Sequence, residues 1–132
     1  MQLEEALWLI KSYQNKLGYT FKYDSTEERM EHIRNLALAQ NVEVSEFLEW
    51  LPYKAWRNIE DQPYNIPEAA LELIDQFFFL ADMWLALGLS PKDFEPLFKK
   101  KLTENISRIS RGYNNTSEQR ELQFGNSKGE TL

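Results

Sequence analysis

The amino-acid sequence predicts an all-α fold, a bundle of four to five helices. Glycine and proline are scarce, at five residues each in 132. Apolar residues recur every three or four positions, which is the spacing of one face of a helix. With 42% hydrophobic and 14% aromatic residues, the chain is long and apolar enough to bury the core of one domain.

The first helix is expected over about residues 2–17. Gly18 follows it as a stop signal, because glycine readily adopts the left-handed conformation that ends helices. The side chains that share the predicted buried face follow the i, i+4, i+7 spacing; they are Leu3, Leu7, Ile10, Gln14 and Leu17. Gln14 interrupts this apolar stripe, so its amide needs a polar partner if it is buried.

The second helix is predicted to start at Ser25 or Thr26, where Ser25 and Glu28 fit a capping box. Its inward face is expected to carry apolar side chains over residues 30–51. A break near Asn41 is left open by the pattern, and Pro52 should end or kink the helix. The apolar positions assigned to this face are Met30, Ile33, Leu36, Ala37, Val44, Phe47, Leu48 and Leu51.

Two further helices are predicted after a polar loop at residues 58–66. Pro67 suits the first position of a long helix that ends at Gly88. Ser90 then caps a last helix, which Pro91 opens and which ends near Gly112. We therefore expect one folded domain over residues 1–112 and a polar, mobile tail over residues 113–132, where apolar residues are few.

Composition excludes several classes of function. A net charge of −6 argues against binding a nucleic-acid polymer through broad electrostatics. Without cysteine, the chain has neither disulfides nor thiol chemistry. The first residues, MQLEEALWLIKSYQ, have the pattern neither of a signal peptide nor of a membrane span. The expectation is a cytoplasmic protein with no membrane partner.

Acidic residues on two predicted helices suggest a metal site. Glu46 and Glu49 lie one turn apart, and Glu72 and Asp75 repeat that spacing on a helix that is apolar almost all round. Residues three apart are separated by about 4.5 Å along the axis, so both can reach one ion. Burying an unpaired carboxylate is costly, so such groups bind metal or pair with cations. For Glu72 and Asp75 the alternative is a set of salt bridges to Arg34, Arg57 or a lysine. For Glu43, Glu46 and Glu49, which share one side of their helix, the alternative is a solvated acidic face.

The kind of metal follows from the kind of ligand. Four carboxylates without histidine or cysteine select Mg²⁺, with Mn²⁺ as a substitute, rather than zinc. Magnesium held by carboxylates usually acts on phosphates. The ordered pair of motifs, 46-EFLE-49 and 72-ELID-75, resembles the all-α nucleoside triphosphate pyrophosphohydrolases. This superfamily includes the dimeric dUTPases, the MazG-like enzymes, the dCTP pyrophosphatases and phosphoribosyl-ATP pyrophosphatase. The resemblance covers about residues 2–112.

The resemblance also implies roles for residues outside the two motifs. Lys54 would meet phosphate and Trp56 would pack beside the nucleotide, although Ala55 stands where dimeric dUTPases usually have tryptophan. Trp50 is better explained as a core aromatic. Gln14 would read the uracil edge, although Gly18 replaces the usual asparagine and a satisfied core amide is the alternative. The donors implied on the last helix, for which a solvated basic face is the alternative, are Lys101, Asn105 and Arg108.

The function implied is Mg²⁺-dependent hydrolysis of a nucleoside triphosphate, with dUTP as first choice and release of dUMP and pyrophosphate. Glu49 would orient the water, while Lys54 and Arg108 would stabilise charge on the phosphates. The apolar excess over residues 77–87 predicts a homodimer. Two alternatives remain: a MazG-like enzyme with another or a broad base preference, and a non-catalytic helical interaction protein.

Overall fold

The computed structural model describes residues 1–112, which contain four α-helices and no β-strand. The predicted tail, residues 113–132, lies outside the described residues. The helices are α1 (Leu3–Lys16), α2 (Thr26–Glu49), α3 (Ile66–Ala86) and α4 (Phe94–Ser110). The all-α prediction is therefore confirmed. The chain divides into two units: α1 to α3 belong to the first, which ends at Pro91, and α4 belongs to the second.

The ends of α1 and α2 follow local rules that the sequence carries. Gly18 has a φ of 98° and stops α1 in the left-handed conformation. The Ser25 side chain accepts a hydrogen bond from the Glu28 backbone N–H at 3.1 Å, as predicted for a cap. The Glu28 carboxylate accepts from the backbone N–H of Asp24 at 3.0 Å, one residue earlier than in a standard capping box.

The break that the sequence pattern left open near Asn41 does not occur, because α2 runs uninterrupted for 24 residues, and α2 ends before Pro52, as predicted. The predicted start of α4 is wrong. Pro91 opens a 3₁₀ turn, Pro91–Asp93, rather than an α-helix. The α-helix proper starts at Phe94, which places Pro96 in its first turn, where a missing N–H breaks no helical hydrogen bond.

The long helix α3 begins with a cap that was not predicted. Asn65 accepts a hydrogen bond from the Glu68 backbone N–H at 3.1 Å, and Pro67 occupies the second helical position. Gly88, with a φ of 87°, follows the end of the helix as expected. Within the described residues, no single helix is long and apolar enough to span a membrane; by length and composition alone, the bent pair Ile66–Ala86 and Pro91–Ser110 passes that test together.

The core of the first unit forms where α1 and α2 pack against α3. Its buried apolar side chains are small or aliphatic: Leu7, Ile10, Leu36, Ala69, Ala81, Leu85 and Ala86. The predicted stripe on α1 is buried only at its centre, because Leu3 and Leu17 are exposed. The all-round burial expected for α3 is likewise not reached in the single chain, since Leu73, Ile74 and Leu80 are about half exposed.

Candidate active site

Three glutamates converge where α2 packs along α3. One carboxylate oxygen from each of Glu43, Glu46 and Glu72 lies within 4.8 Å of the other two. Glu43 and Glu46 are one turn apart on α2, and Glu72 comes from the second turn of α3. We call these three side chains the carboxylate cluster. Within residues 1–91, no lysine or arginine forms an ion pair with it, so the salt bridges offered as the alternative are not formed there.

The carboxylate cluster contains buried oxygens that lack a partner. The Oε2 atoms of Glu43 and Glu72 are both buried without a hydrogen-bond donor. Burial, followed by the negative charge of Glu46, raises the pKa of Glu43 from its ordinary value of 4.5 to about 7. The charge of Asp75 contributes to the same rise, so Asp75 lies close enough to act on the cluster. A cation between these groups would remove both the repulsion and the unsatisfied acceptors.

The residues present fit a magnesium ion. The cluster offers only carboxylate oxygens, which are the ligands that Mg²⁺ and Mn²⁺ prefer. An exposed Glu46 beside the half-buried Glu43 and Glu72 leaves one side of the cluster open to solvent or substrate. Such a one-sided arrangement is typical of Mg²⁺, which keeps several water or phosphate ligands.

Glu49 and Asp75, which complete the two predicted motifs, lie outside the carboxylate cluster. Both side chains are exposed. The reason on α2 is geometric: residues three apart differ by about 60° around the axis, so the series Glu43, Glu46, Glu49 turns progressively away from one direction. Glu43 was placed with the other two on an acidic face but was not assigned to the site. Its position three residues before Glu46, the same spacing as in the two motifs, was the sequence signal that could have identified it.

Trp50 connects the end of α2 to the carboxylate cluster. Its indole Nε1 donates a hydrogen bond to Glu72 Oε1 at 3.4 Å, and the side chain is half-buried. The backbone oxygen of Trp50 accepts from the N–H of Asn65 at 2.8 Å, which ties the start of α3 to the end of α2. Trp50 is therefore more than a core aromatic, because it holds one oxygen of Glu72 while leaving the other without a partner.

Gln62 fixes the segment that carries Lys54. Its side-chain oxygen accepts from the backbone N–H of Lys54 at 2.9 Å, and its Nε2 donates to the Lys54 carbonyl at the same distance. The Lys54 ammonium lies 5.8 Å from the centre of the Tyr53 ring. Trp56, two residues on, is 74% exposed. The segment thus presents one lysine held by its backbone and one indole open to solvent.

Gln14 has found its polar partner in Asp82. Its Nε2 donates to the two carboxylate oxygens of Asp82 at 3.0 and 2.8 Å, across 68 residues of sequence. Asp82 is only 6% exposed. Burial raises the pKa of Asp82 from 3.8 to about 6, although the hydrogen bond from Gln14 opposes that rise. No role was assigned to Asp82 from the sequence.

The donors predicted on α4 belong to the second unit. Lys101 is exposed and forms an ion pair with Glu104 at 3.5 Å, while Asn105 and Arg108 are half-buried. Their spacing of four and three residues on α4 keeps them on one side of the helix, as predicted. Their phosphate-binding role stays a prediction.

Comparison with known proteins identifies the family. A protein-family model described as dUTPase matches residues 6–127, which is most of the chain. The chain belongs to this dUTPase family. Its membership confirms the resemblance to the all-α nucleoside triphosphate pyrophosphohydrolases that the two motifs indicated.

One relative of this dUTPase-family chain is a phage protein. A dCTP pyrophosphatase of Enterobacteria phage LZ5 is 33% identical over 94 residues, covering 66% of this chain and 55% of the phage protein. The chain thus spans about half the length of that relative. No solved structure matches this chain significantly.

Proposed function

We propose that this dUTPase-family chain is a Mg²⁺-dependent hydrolase that converts a pyrimidine deoxynucleoside triphosphate to the monophosphate and pyrophosphate. The observation that carries the proposal is the carboxylate cluster, with two buried oxygens that lack any donor. Buried polar groups are almost always satisfied in folded proteins, so each exception calls for an explanation. A divalent ion that bridges the cluster to a triphosphate is the explanation that also agrees with the family.

The proposed roles follow from where each side chain lies. Glu43, Glu46 and Glu72 would hold the ion, with Asp75 beside them. When bound, Mg²⁺ supplies positive charge that neutralises the phosphate oxygens. Glu49, exposed one turn beyond Glu46, is free to orient a water molecule and accept its proton.

Cationic and polar side chains would complete the grip on the phosphates. Lys54 is the candidate in the first unit, because its backbone is held on both sides by Gln62. The candidates on α4 are Lys101, Asn105 and Arg108. Guanidinium and ammonium groups stabilise charge that develops on transferring phosphoryl groups. Trp56, with most of its indole exposed, offers a surface on which a base or sugar can pack.

Two substrates are candidates. The sequence pattern favours dUTP, because the Gln14 amide offers a donor and an acceptor that suit the imide edge of uracil. dCTP is the second candidate, and a specific observation favours it: the Gln14 NH₂ group is already engaged by Asp82. The name of the phage relative points the same way.

We also propose that the chain acts as a homodimer. Leu73 and Leu80 on α3, and Leu87 at its C-terminal cap, recur every seven residues and are 49%, 45% and 55% exposed. Seven residues are close to two helical turns, so the three side chains form one stripe along the helix. A continuous exposed apolar stripe is typical of a surface that a second subunit covers.

The test of the proposed function is pyrophosphate release from dUTP, dCTP, dTTP and dATP, each with and without Mg²⁺. We expect turnover of a pyrimidine substrate only when Mg²⁺ is present. Glu72→Gln should abolish it while preserving the fold, because the amide oxygen can still accept from Trp50. Glu31→Gln, on an exposed part of α2, is the matched control and should retain activity. Full activity in Glu72→Gln would refute the site, and no turnover of any nucleotide would favour the non-catalytic alternative.

A further inference from the structure

Buried polar atoms without a partner gather in one part of the fold. Within residues 1–112, five side-chain atoms are buried without a hydrogen-bond partner, and four of them belong to α2 and α3. Two are the Oε2 atoms of Glu43 and Glu72 in the carboxylate cluster. The other two are Oε1 of Gln40 and Nε2 of Gln76, to which the proposed function gives no role. We call Gln40 and Gln76 the amide pair.

The amide pair forms the layer next to the carboxylate cluster. A backbone hydrogen bond of 2.8 Å joins the residue after α2 to the residue before α3, and Glu43 meets Glu72 further along both helices, so the helices run antiparallel. One turn back along α2 from Glu43 is Gln40, and one turn forward along α3 from Glu72 is Gln76. In antiparallel helices these two steps lead in the same direction, so the amides follow the acids along the same packed line.

The amide pair does not satisfy its own hydrogen-bonding groups. No hydrogen bond joins the buried oxygen of Gln40 to the buried NH₂ of Gln76, although one is an acceptor and the other a donor. Together with the two acids, the layer buries three acceptors and one donor without partners. Leaving buried polar groups unsatisfied destabilises a fold, and apolar side chains of the same shape would avoid that cost. What this part of the protein lacks is positive charge and hydrogen-bond donors.

We propose that the amide pair is the outer shell of the magnesium site, in which the Gln40 oxygen accepts a hydrogen bond from a water molecule on the ion. This inference rests on the proposed function and deepens it by adding residues that position the ligands of the ion. Mg²⁺ usually keeps several of its waters. An acceptor that binds such a water lies about 5 Å from the ion, whereas a direct ligand lies about 2 Å from it. The rise of about 4.5 Å between Gln40 and Glu43 suits contact through water.

Gln76 provides a donor for one of the acids that hold the ion. Residues four apart on a helix are neighbours, so the Gln76 NH₂ group is within reach of the Glu72 carboxylate. Trp50 already donates to Glu72 Oε1 at 3.4 Å, whereas Glu72 Oε2 has no donor. In the loaded site, the Gln76 NH₂ group donates to this carboxylate and fixes its orientation. Carboxylates that bind a metal are held by such hydrogen bonds, and losing one costs roughly 10–100-fold in metal affinity.

The test measures Mn²⁺ binding to the full chain without nucleotide at pH 8. The electron paramagnetic resonance signal of free Mn²⁺, followed during a titration, gives Kd directly. Gln40→Leu and Gln76→Leu should each raise Kd roughly tenfold or more. Asn41→Leu also replaces an amide by leucine, at the neighbouring exposed position of α2, and should keep the wild-type Kd. Gln40→Glu retains an acceptor oxygen and should bind Mn²⁺ at least as tightly as the wild type.

Urea denaturation of the metal-free protein separates a role in metal binding from a structural role. Both leucine variants should be at least as stable as the wild type, because each removes a buried polar atom that has no partner. An amide pair that only supports the fold would give the opposite result, a loss of stability with an unchanged Kd.

Three results would overturn the inference. They are a leucine variant that keeps the wild-type Kd, a leucine variant that is less stable than the wild type without metal, and binding by Gln40→Glu as weak as that by Gln40→Leu. In each case the proposed function stands, provided that the wild-type protein binds Mn²⁺ and releases pyrophosphate from a nucleotide. A wild-type protein that binds no Mn²⁺ in this titration removes the metal site and both proposals with it.

Discussion

At the scale of single residues, two carboxyl groups sit where ionisation is unfavourable. Asp82 is 6% exposed, and Glu43 has a buried oxygen without a donor. The pKa values of both are raised, to about 6 and about 7, with burial as the largest cause. Strongly raised pKa values concentrate at functional sites, because ordinary folding would select a neutral side chain there.

Asp82→Asn should stabilise the protein at neutral pH. The folded pKa, about 6, lies above the ordinary 3.8, so the folded protein holds an extra proton between those values and its free energy of unfolding falls as pH rises through that window. Fully ionised Asp82 lowers the free energy of unfolding by about 3 kcal/mol at most. Asparagine avoids this penalty, so the variant should gain about 1–3 kcal/mol at pH 8 and nothing at pH 3.5.

The measurement is urea denaturation of wild type and variant at both pH values. Asp24→Asn is the control, since an exposed aspartate pays no desolvation penalty. A loss of stability in Asp82→Asn at pH 8 would show that the charged hydrogen bond to Gln14 outweighs the burial of the charge.

Glu43→Gln should reduce the rise in melting temperature that Mg²⁺ causes. In the wild type, Mg²⁺ should raise the melting temperature, because a ligand that binds only the folded state stabilises it. Without the Glu43 carboxylate, the cluster loses one charge and one buried acceptor, so the shift should fall by more than half. The metal-free variant should itself be more stable by about 1 kcal/mol, since like-charge repulsion is removed. Thermal melts with and without 5 mM Mg²⁺ (roughly 10–100 times an expected Kd) measure both effects.

Glu31→Gln on the same helix is the matched control for this prediction. Its side chain is exposed and distant from the carboxylate cluster. It should melt like the wild type in both conditions. If Mg²⁺ raised the melting temperature of Glu43→Gln as much as that of the wild type, Glu43 would not be a metal ligand. The proposed ligands would then be the motif residues alone, Glu46, Glu49, Glu72 and Asp75.

At the scale of structural elements, the irregular segment between α2 and α3 is held by one amide. Gln62 makes two hydrogen bonds of 2.9 Å to the backbone of Lys54, and further contacts of its Nε2 reach the carbonyl oxygens of Arg57 and Asn58. These bonds fold residues 54–62 into a closed loop without regular secondary structure beyond one 3₁₀ turn. The position of Lys54 therefore depends on a side chain eight residues away.

Gln62→Leu should loosen this loop. The lost bonds should lower the free energy of unfolding by about 1–3 kcal/mol. If Lys54 binds phosphate, KM for the triphosphate should rise several-fold because the lysine is less well positioned, with a smaller effect on kcat. Glu60→Gln in the same loop, where the side chain is exposed, serves as the control. A stable Gln62→Leu variant with unchanged KM would remove Lys54 from the proposed site.

At the scale of the whole molecule, α3 leaves several large apolar side chains about half exposed, among them Leu73, Ile74 and Leu80. The leucine stripe of residues 73, 80 and 87 stays about half exposed, whereas Ala81, Leu85 and Ala86 on the same helix are buried. An apolar stripe of this kind is typical of a surface that a partner covers. A second copy of the chain is the partner we propose.

Leu80→Glu should dissociate the homodimer. A charge at the centre of the stripe must be desolvated on association, which costs several kcal/mol when it is unpaired. Analytical ultracentrifugation should show a dimer for the wild type and a monomer for the variant at the same micromolar concentration. Leu38→Glu, on an exposed part of α2 outside the stripe, should remain a dimer. If the wild-type protein is a monomer at that concentration, the homodimer proposal is wrong.

The sequence by itself determined the local architecture and the chemistry of the site. Ser25 marked the start of α2, and Gly18 and Gly88 marked the ends of α1 and α3, because caps and left-handed glycines act within a few residues of themselves. The spacing of Glu46 with Glu49, and of Glu72 with Asp75, placed acids one turn apart on helices. The family resemblance followed from these ordered motifs, and the family comparison confirmed it.

Only the tertiary structure decided which of these groups meet. The rotation of α2 against α3 brings Glu43 rather than Glu49 into the carboxylate cluster, and helix spacing alone does not set that rotation. The partner of Gln14 is 68 residues away, so no local pattern could indicate it. Hydrogen bonds within a helix are local and are read from spacing, whereas contacts between helices depend on how their surfaces pack.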